Sequence, residues 1–352
     1  MKPCILVEKS TGEVFRRKLS QLNLLDNNYR IKRLDDKLAL PLTSLPREEL
    51  LSELKKLGPF TLTYMEFERV SKKPRDLIEA LSDVLSPAEL SFVPKSFDII
   101  GDIAVIELPD ELLHVKEIIG KALLTIYDNV KAVYMKHGKV DGTYRIRPLE
   151  HIAGELKTET VHREYGCVFK LDVMKVYFSP RLSWEHWRIA SQVAEGETVV
   201  DMFAGIGPFS IMIAKNKANV KIYAIDINPD AVRYLEENIK LNNVQGKVVP
   251  ILGDAKQVIE NKLRGVADRV IMNLPGEAIS FVDAACKTLK KAGGIMHFYS
   301  FTSEERGFAN IEEALTREVL KSGRTIKQIL SKRIVRPVAP RTWQVVLDVL
   351  IA

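Results

Sequence analysis

Cysteine is scarce: the chain of 352 residues carries three, Cys4, Cys167 and Cys286. They are odd in number, far apart and without a CxxC pair, which argues against a disulfide framework and gives no spacing for a zinc site. The expectation is a reduced, cytoplasmic protein with no bound metal. No run of about 18 apolar residues occurs, so no membrane contact through a spanning helix is expected. Residues 1–12 alternate charged and apolar side chains as a strand does, unlike a signal sequence. Internal repeats and low-complexity tracts are also missing, which removes solenoids and long disordered arrays.

What is present in excess is mild positive charge. The 52 Lys and Arg against 46 Asp and Glu leave +6, with a pI near 9.0. That balance leans toward a polyanionic partner, although a mild excess is also common in proteins that never touch nucleic acid. The length allows about two or three domains.

The most informative stretch is TVVDMFAGIGPFS, residues 198–210. Val199 and Val200 supply a buried strand and Asp201 ends it. Gly205 and Gly207 then let backbone approach a ligand without a Cβ in the way, and Pro208 suits the first turn of the next helix. Three more strands follow, VKIYAIDIN, KVVPILGDA and RVIMNLP, which bring Asp226, Asp254 and Asn273 to the same edge. Asp226 falls about twenty residues after the glycines, where a carboxylate can grip a ribose diol. The third glycine of a dinucleotide-binding GxGxxG turn is missing; Ser210 stands there.

This DxFxGxGxxS pattern, with the acidic second strand, Asp254-Ala255 and Asn273-Leu274-Pro275, resembles the S-adenosylmethionine-dependent methyltransferases of the Rossmann-like class. Their cofactor carries a sulfonium cation and no phosphate, which suits a pocket rich in carboxylates. Methylation at carbon-5 of a pyrimidine needs a cysteine nucleophile, and none lies near Asn273. A short polar-x-Pro sequence there is frequent in amino-nitrogen methyltransferases.

The first seventy residues read as a small βαββαβ domain, with helices at 14–25 and 47–57. Its basic runs Arg16–Lys18 and Lys32-Arg33 could face RNA or simply solvent. Residues 71–75, SKKPR, read as a linker. Residues 76–172 read as a central α+β platform, with helices at 76–85 and 111–127 and strands at 96–108, 131–134, 143–149, 159–163 and 167–171. Residues 131–147 interleave cations with Tyr134 and Tyr144, a pattern that screens phosphates and stacks bases, or merely a basic hairpin. Residues 173–352 form the Rossmann-like unit, completed by two strands around Pro337–Pro340.

Taken together, HIAGE at 151–155, VYFSPRLSWEH at 176–186, the glycine turn, AIDINP, IMNLP and APR at 339–341 resemble the archaeal and eukaryotic tRNA methyltransferases that modify N1 of guanosine 37. The resemblance implies an α/β fold, S-adenosylmethionine as cofactor, and a tRNA partner gripped at its anticodon loop and body by a monomer. It implies catalytic roles for Arg145, Glu185 and Asn273. Guanine N1 is protonated at neutral pH, so Glu185 would take the proton, Arg145 would stabilise the charge on O6 and Asn273 would orient the ring. Tyr177, His186, Asp201, Phe203, Gly205, Gly207, Asp226, Ile227, Asp254, Ala255, Asn273 and Pro275 would line the cofactor. Two alternatives stand beside this one: a transferase of wyosine-type tRNA modification and a non-catalytic RNA-binding protein.

Overall fold

Alternation along β1 (Lys2–Glu8) sends Ile5 and Val7 into an apolar core shared with Phe15 and Leu19 of α1 (Gly12–Gln21), Leu40 of β3 (Lys37–Pro41) and Leu54 of α2 (Glu48–Lys55). With β2 (Lys32–Arg33) and β4 (Phe60–Met65) these strands form an antiparallel sheet in the order β2-β3-β1-β4. The computed structural model describes residues 1–70, 73–138, 142, 144, 146–304 and 307–352, which divide into two units, Met1–Arg75 and Asp76–Ala352. The helix expected to reach Leu25 stops at Gln21. Asn23 turns left-handed at φ 54°, and the N–H groups of Leu24 and Leu25 fold back onto the Leu19 carbonyl.

The second unit begins with α3 (Leu77–Leu81) and α4 (Pro87–Phe92). The second of these was not expected, although Ser86-Pro87-Ala88-Glu89 is a complete capping box. The expected strand over 96–108 is a hairpin, β5 (Asp98–Ile100) and β6 (Ile103–Ile106). Gly101 makes its turn at φ +58°, where a Cβ would lie 2.2 Å from the Thr160 hydroxyl. The helix expected over 111–127 opens as a 3-10 turn, Asp110–Val115, before α5 (Lys116–Ile126). β7 (Ala132–Lys136) pairs with β6 in parallel and with β8 (Leu149–Gly154) antiparallel. The strand expected at 143–149 therefore starts where that one was to end, because the register runs from Lys136 opposite Leu149 to Ala132 opposite Gly154. Residues 139–141, 143 and 145 lie outside the described residues, as do 71 and 72 of the expected linker.

β9 (Glu159–Glu164) and β10 (Cys167–Asp172) form a separate hairpin, and α6 (Ser183–Gln192) leads into the main sheet. That sheet comprises β11 (Thr198–Asp201), β12 (Lys221–Asp226), β13 (Val248–Leu252), β14 (Arg269–Met272), β15 (Gly294–Ser303), β16 (Ile326–Ala339) and β17 (Thr342–Ile351). Its order is β13-β12-β11-β14-β15-β17-β16, parallel except for β17 and β16. Helices α7 (Pro208–Asn216), α8 (Pro229–Leu241), α9 (Ala255–Lys262), α10 (Val282–Thr288) and α11 (Ala309–Lys321) cover it. The central strands are buried on both faces and so read as continuous apolar runs. This is the Rossmann-like methyltransferase architecture, with the strand order reversing beside β11, where ligands bind at carboxyl ends. Among the described residues no helix is long and apolar enough to cross a membrane.

The hairpin is fixed to this domain by two asparagines of one helical face. Asn238 of α8 accepts from Lys170 N at 2.7 Å and donates to the Lys170 and Ile206 carbonyls at 3.0 and 3.2 Å. Asn242, one turn on, treats Val168 the same way at 2.9 and 2.6 Å. Asn238→Ala strands a buried amide and two carbonyls, and should cost about 2 to 3 kcal/mol. Urea unfolding of the variant against the parent chain checks this; an unchanged midpoint and slope would refute it.

Candidate functional site

The glycine turn opens at the end of β11 as the spacing predicts. Gly207 is the N-cap of α7 at φ 91°, and a Cβ there would lie 2.4 Å from Leu235 Cδ1. A Cβ added at Gly205, at φ 55°, would meet the Tyr177 carbonyl at 3.8 Å and nothing nearer among the described residues, which leaves that side open for a ligand. Asp226, at the end of β12, accepts from Gly205 N at 2.7 Å and from Asn228 N at 2.9 Å, so it braces the turn. Burial pushes its pKa up against those two donors. Beside it Ile227 is exposed. Asp201 is fully buried; Ser210 donates to its Oδ2 at 2.8 Å, while among the described residues Oδ1 has no partner that meets hydrogen-bond geometry. Loss of solvent drives its pKa up to about 7.

Further along this edge, Asp254 caps α9 through Gln257 N at 3.1 Å, and Ala255 is buried beneath it. Phe203 stands edge-on to Phe281 at 4.9 Å. Pro275 is half-buried just past β14. His186 differs from its neighbours, being 1% exposed, bonded to Glu164 Oε1 at 2.7 Å and edge-on to Phe209. It supports α6 from beneath and presents no surface to solvent.

Glu185 stands on the same helix, in the first turn, at 2% exposure. Arg188 grips both its oxygens at 2.7 and 3.0 Å, the Tyr299 hydroxyl donates to Oε1 at 2.6 Å, and Arg333 donates to Oε2 at 2.7 Å. Burial raises the carboxyl pKa, but the Arg188 contacts, Tyr299 and Arg333 outweigh it and hold it below the usual range. The pairs continue inward. Arg188 bonds Asp348 at 2.6 Å, Asp348 accepts from His297 Nδ1 at 2.6 Å, and Arg269 meets His297 Nε2 at 2.8 Å and Glu197 at 2.7 Å. Arginine only donates, so His297 accepts at Nε2 and keeps its proton on Nδ1.

A second cluster surrounds Asn273. Gln344 donates to Asn273 Oδ1 at 3.1 Å and accepts from Arg336 Nε at 2.9 Å. Arg336 also reaches the Ser179 and Tyr177 hydroxyls, each at 3.0 Å. Arg188, Arg333, Arg336, Gln344 and Tyr299 stand outside the motifs legible in the sequence. The one available signal was RIVRP at 333–337, two arginines near the end of a strand beside a proline. Arg145 lies outside the described residues.

The base-stacking pattern at 131–147 needs correction. Tyr134 is 3% exposed and its hydroxyl donates to the Lys157 carbonyl, so it is a core residue, whereas Tyr144 is exposed. Lys136 and Arg147 both pair with Glu107. A cleft of about 680 Å³ lined by Gly101, Asp102, Lys157, His162 and Arg163 lies in the α+β segment and holds none of the expected site residues.

Comparison with known proteins bears on this arrangement. Family models match for the TRM5/TYW2 methyltransferase domain over residues 160–323, the TYW2 N-terminal domain over 77–158 and the tRNA methyltransferase 5 N-terminal domain over 4–50. The tRNA (guanine(37)-N(1))-methyltransferase Trm5b of Pyrococcus abyssi is 45% identical over 349 residues, 99% of this chain and 98% of its own. The tRNA 4-demethylwyosine(37)-methyltransferase Taw21 of Saccharolobus solfataricus is 37% identical over 72% of this chain and 93% of its own. A solved complex of aTrm5 and tRNALeu shares 36% identity, covers 99% of both chains and superposes with a TM-score of 0.84.

Asp201 supplies a test of the glycine turn's electrostatics. With its folded pKa raised from 3.8 to about 7, the folded chain holds this proton more tightly than the unfolded chain. Its contribution to stability is complete below about pH 4 and is lost as the pH rises through 7. Asp201→Asn should therefore gain on the parent chain between pH 5.5 and 8, with a ceiling of about 4 kcal/mol from roughly three pKa units. Denaturant melts across that range measure it, and parallel curves for the two proteins would exclude the titration.

Proposed function

The chain belongs to the TRM5/TYW2 methyltransferase family, and on that premise we propose that it methylates N1 of guanosine 37 in tRNA with S-adenosylmethionine as cofactor. The observation that carries the reading is the buried, multiply bonded carboxylate Glu185 in one domain with the amide Asn273 and an open glycine turn. The residues present suit this cofactor. Among the described residues Asp201 keeps one buried oxygen without a partner that meets hydrogen-bond geometry, Asp226 and the exposed Ile227 stand together at the next strand end, and Gly205 has open space where a side chain would be. The cofactor supplies an electrophilic methyl group on sulfur.

The protein's own part is to bind the base, hold it in line and remove its proton. Asn273 orients the guanine ring, Arg145 stabilises charge on O6, and Glu185 takes the N1 proton. At rest Glu185 is a weak base, since four donated hydrogen bonds fill its oxygens. Arg333 is the contact best suited to leave. Its side chain is one-third exposed, it holds Glu185 through one bond, and it stacks 4.3 Å above the exposed ring of Trp184. Withdrawing that cation raises the basicity of Glu185 and frees an oxygen.

The wyosine-type relative matches 72% of this chain, whereas the guanosine-37 N1 relative matches 99%. The N1 reading is the one that accounts for the whole length, the first unit included. Within that unit Arg16 and Arg17 are tied to Glu13 on their own helix and Lys18 to Glu53. Lys32 and Arg33, exposed on edge strand β2, are the better candidates for phosphate contact.

Incubating the chain with tRNA and labelled cofactor, then digesting and weighing the nucleosides, reports which group is transferred and to which base. A product other than 1-methylguanosine at position 37 would overturn the assignment. Glu185→Gln should lower the single-turnover rate by ~100 to 10,000-fold with cofactor affinity unchanged. A near-parental rate at neutral pH would remove Glu185 from the role of base. A chain starting at Asp76 should still bind cofactor but bind tRNA more weakly and with a flatter salt dependence, each lost phosphate contact taking about 0.7 to 0.9 from the log-log slope. Unchanged tRNA affinity would rule out docking by the first unit.

A further inference from the structure

We propose that Arg336 and Gln344 are positioning residues that fix the polarity of the Asn273 amide, so that it presents N–H donors to the carbonyl oxygen of guanine and rejects a base with an amino group there. The proposal rests on the reading of Asn273 as the residue that holds the target base.

An asparagine side chain has a donor end and an acceptor end, and turning it by 180° reverses what a bound base meets. Nothing in the sequence settles that choice, whereas the hydrogen bonds do. Arg336 and Gln344 are cross-strand partners on β16 and β17. The guanidinium has no acceptor, so the Gln344 atom 2.9 Å from Arg336 Nε is its oxygen. The Gln344 NH2 group then faces Asn273 and donates to Oδ1 at 3.1 Å. With one lone pair of Oδ1 engaged the orientation of the amide is set, and Nδ2 with its two hydrogens is the end turned away from Gln344. The opposite setting would bring two donors together at Arg336 and leave them unpaired in a site where Gln344 is 2% exposed.

Arg336 cannot readily turn away to relax this order. Its other two nitrogens are bound at 3.0 Å to the Ser179 and Tyr177 hydroxyls, so it is held at three points. The order therefore runs in one direction, from a residue that can only donate, through a buried amide, to a half-buried amide. Guanine carries an acceptor, O6, where adenine-type bases carry a donor. An asparagine of this polarity matches the first and opposes the second.

The test uses the full chain and two tRNAs that differ only at position 37, one with guanosine and one with 2,6-diaminopurine, which replaces O6 by an amino group and the N1 proton by a lone pair. The parent chain should bind the guanosine tRNA more than about tenfold more tightly, since Asn273, Arg145 and Glu185 all meet the altered edge, as read by competitive inhibition constants. Gln344→Glu keeps an acceptor for Arg336 but offers Asn273 only acceptors, so the amide turns over. The preference should fall about tenfold, the share of one hydrogen-bonding group, while the shares of Arg145 and Glu185 persist, and kcat on guanosine should fall, with cofactor affinity by calorimetry unchanged. A merely structural role would weaken binding of both tRNAs alike and leave the ratio between them unchanged. If Gln344→Glu keeps both preference and rate, the proposal is wrong. Should Gln344→Glu lose cofactor binding and hence its fold, Arg336→Met decides: a shrunken preference supports the proposal, and an undiminished one overturns it. Product analysis of the parent chain separates the two levels, since failure to form 1-methylguanosine defeats the underlying reading and this proposal with it. Normal product with an unaltered preference in the variants defeats this proposal alone.

Discussion

A carboxylate taken out of water has to be neutralised, and in this protein the organisation of one side of the main sheet follows from doing so at Glu185. The idealised cost of burying such an ion is of order 20 kcal/mol, several of which persist in real proteins, so cations and donors must converge on it. Arg188 and Arg333 supply the charge and Tyr299 a further donor. Arg188 is itself buried and needs Asp348; Asp348 needs His297; His297 is held by Arg269, and Arg269 ends on Glu197. Three carboxylates and three guanidiniums balance around a histidine whose pKa burial pushes down. The burial of Arg188 is outweighed by Glu185 and Asp348, so it stays charged, and Asp348 stays well below the usual carboxylate range despite its own burial.

This chain of charges crosses α6, β17, β15 and β14 and thereby fixes where α6 sits over the sheet. Taking out one member leaves the next uncompensated, which in buried pairs costs about 3 to 5 kcal/mol. Arg333 is the exception because it reaches Glu185 from a partly solvated position, where an ion pair contributes little net stability. The network therefore has a buried inner part and a partly solvated outer contact.

Local patterning was enough to read the Rossmann-like half. Runs of Val, Ile and Ala bounded by Asp201, Asp226, Asp254 and Asn273 specify strands and their carboxyl edge, and Gly205, Gly207 and Pro208 specify the turn between strand and helix. Motif resemblance then singled out Glu185 and Asn273. What determines how those two residues behave was hidden, because it depends on pairs far apart in sequence. Arg188 meets Asp348 and Arg333 meets Glu185 only after β17 and β16 have folded back onto β15 and α6. Elsewhere the misreadings came from rules of short range. Gly101-Asp102 was a turn signal inside an apolar run, Ser86-Pro87-Ala88-Glu89 was an unread capping box, and Tyr134 was given to the surface because cations flank it in sequence. Alternation along β7 puts that ring in the core instead.

The asparagine pair on α8 has a consequence for how the chain behaves among copies of itself. A two-stranded ribbon has two free rims, and a rim of unsatisfied peptide groups is an invitation to any other extended segment. Asn238 and Asn242 each offer the rim of β10 one acceptor and one donor, spaced by a helical turn to match alternate residues of a strand. A helix thus takes the place a third strand would occupy, using side-chain amides in place of backbone. The ribbon is sealed on that rim without being lengthened, so self-templated stacking has no starting row there.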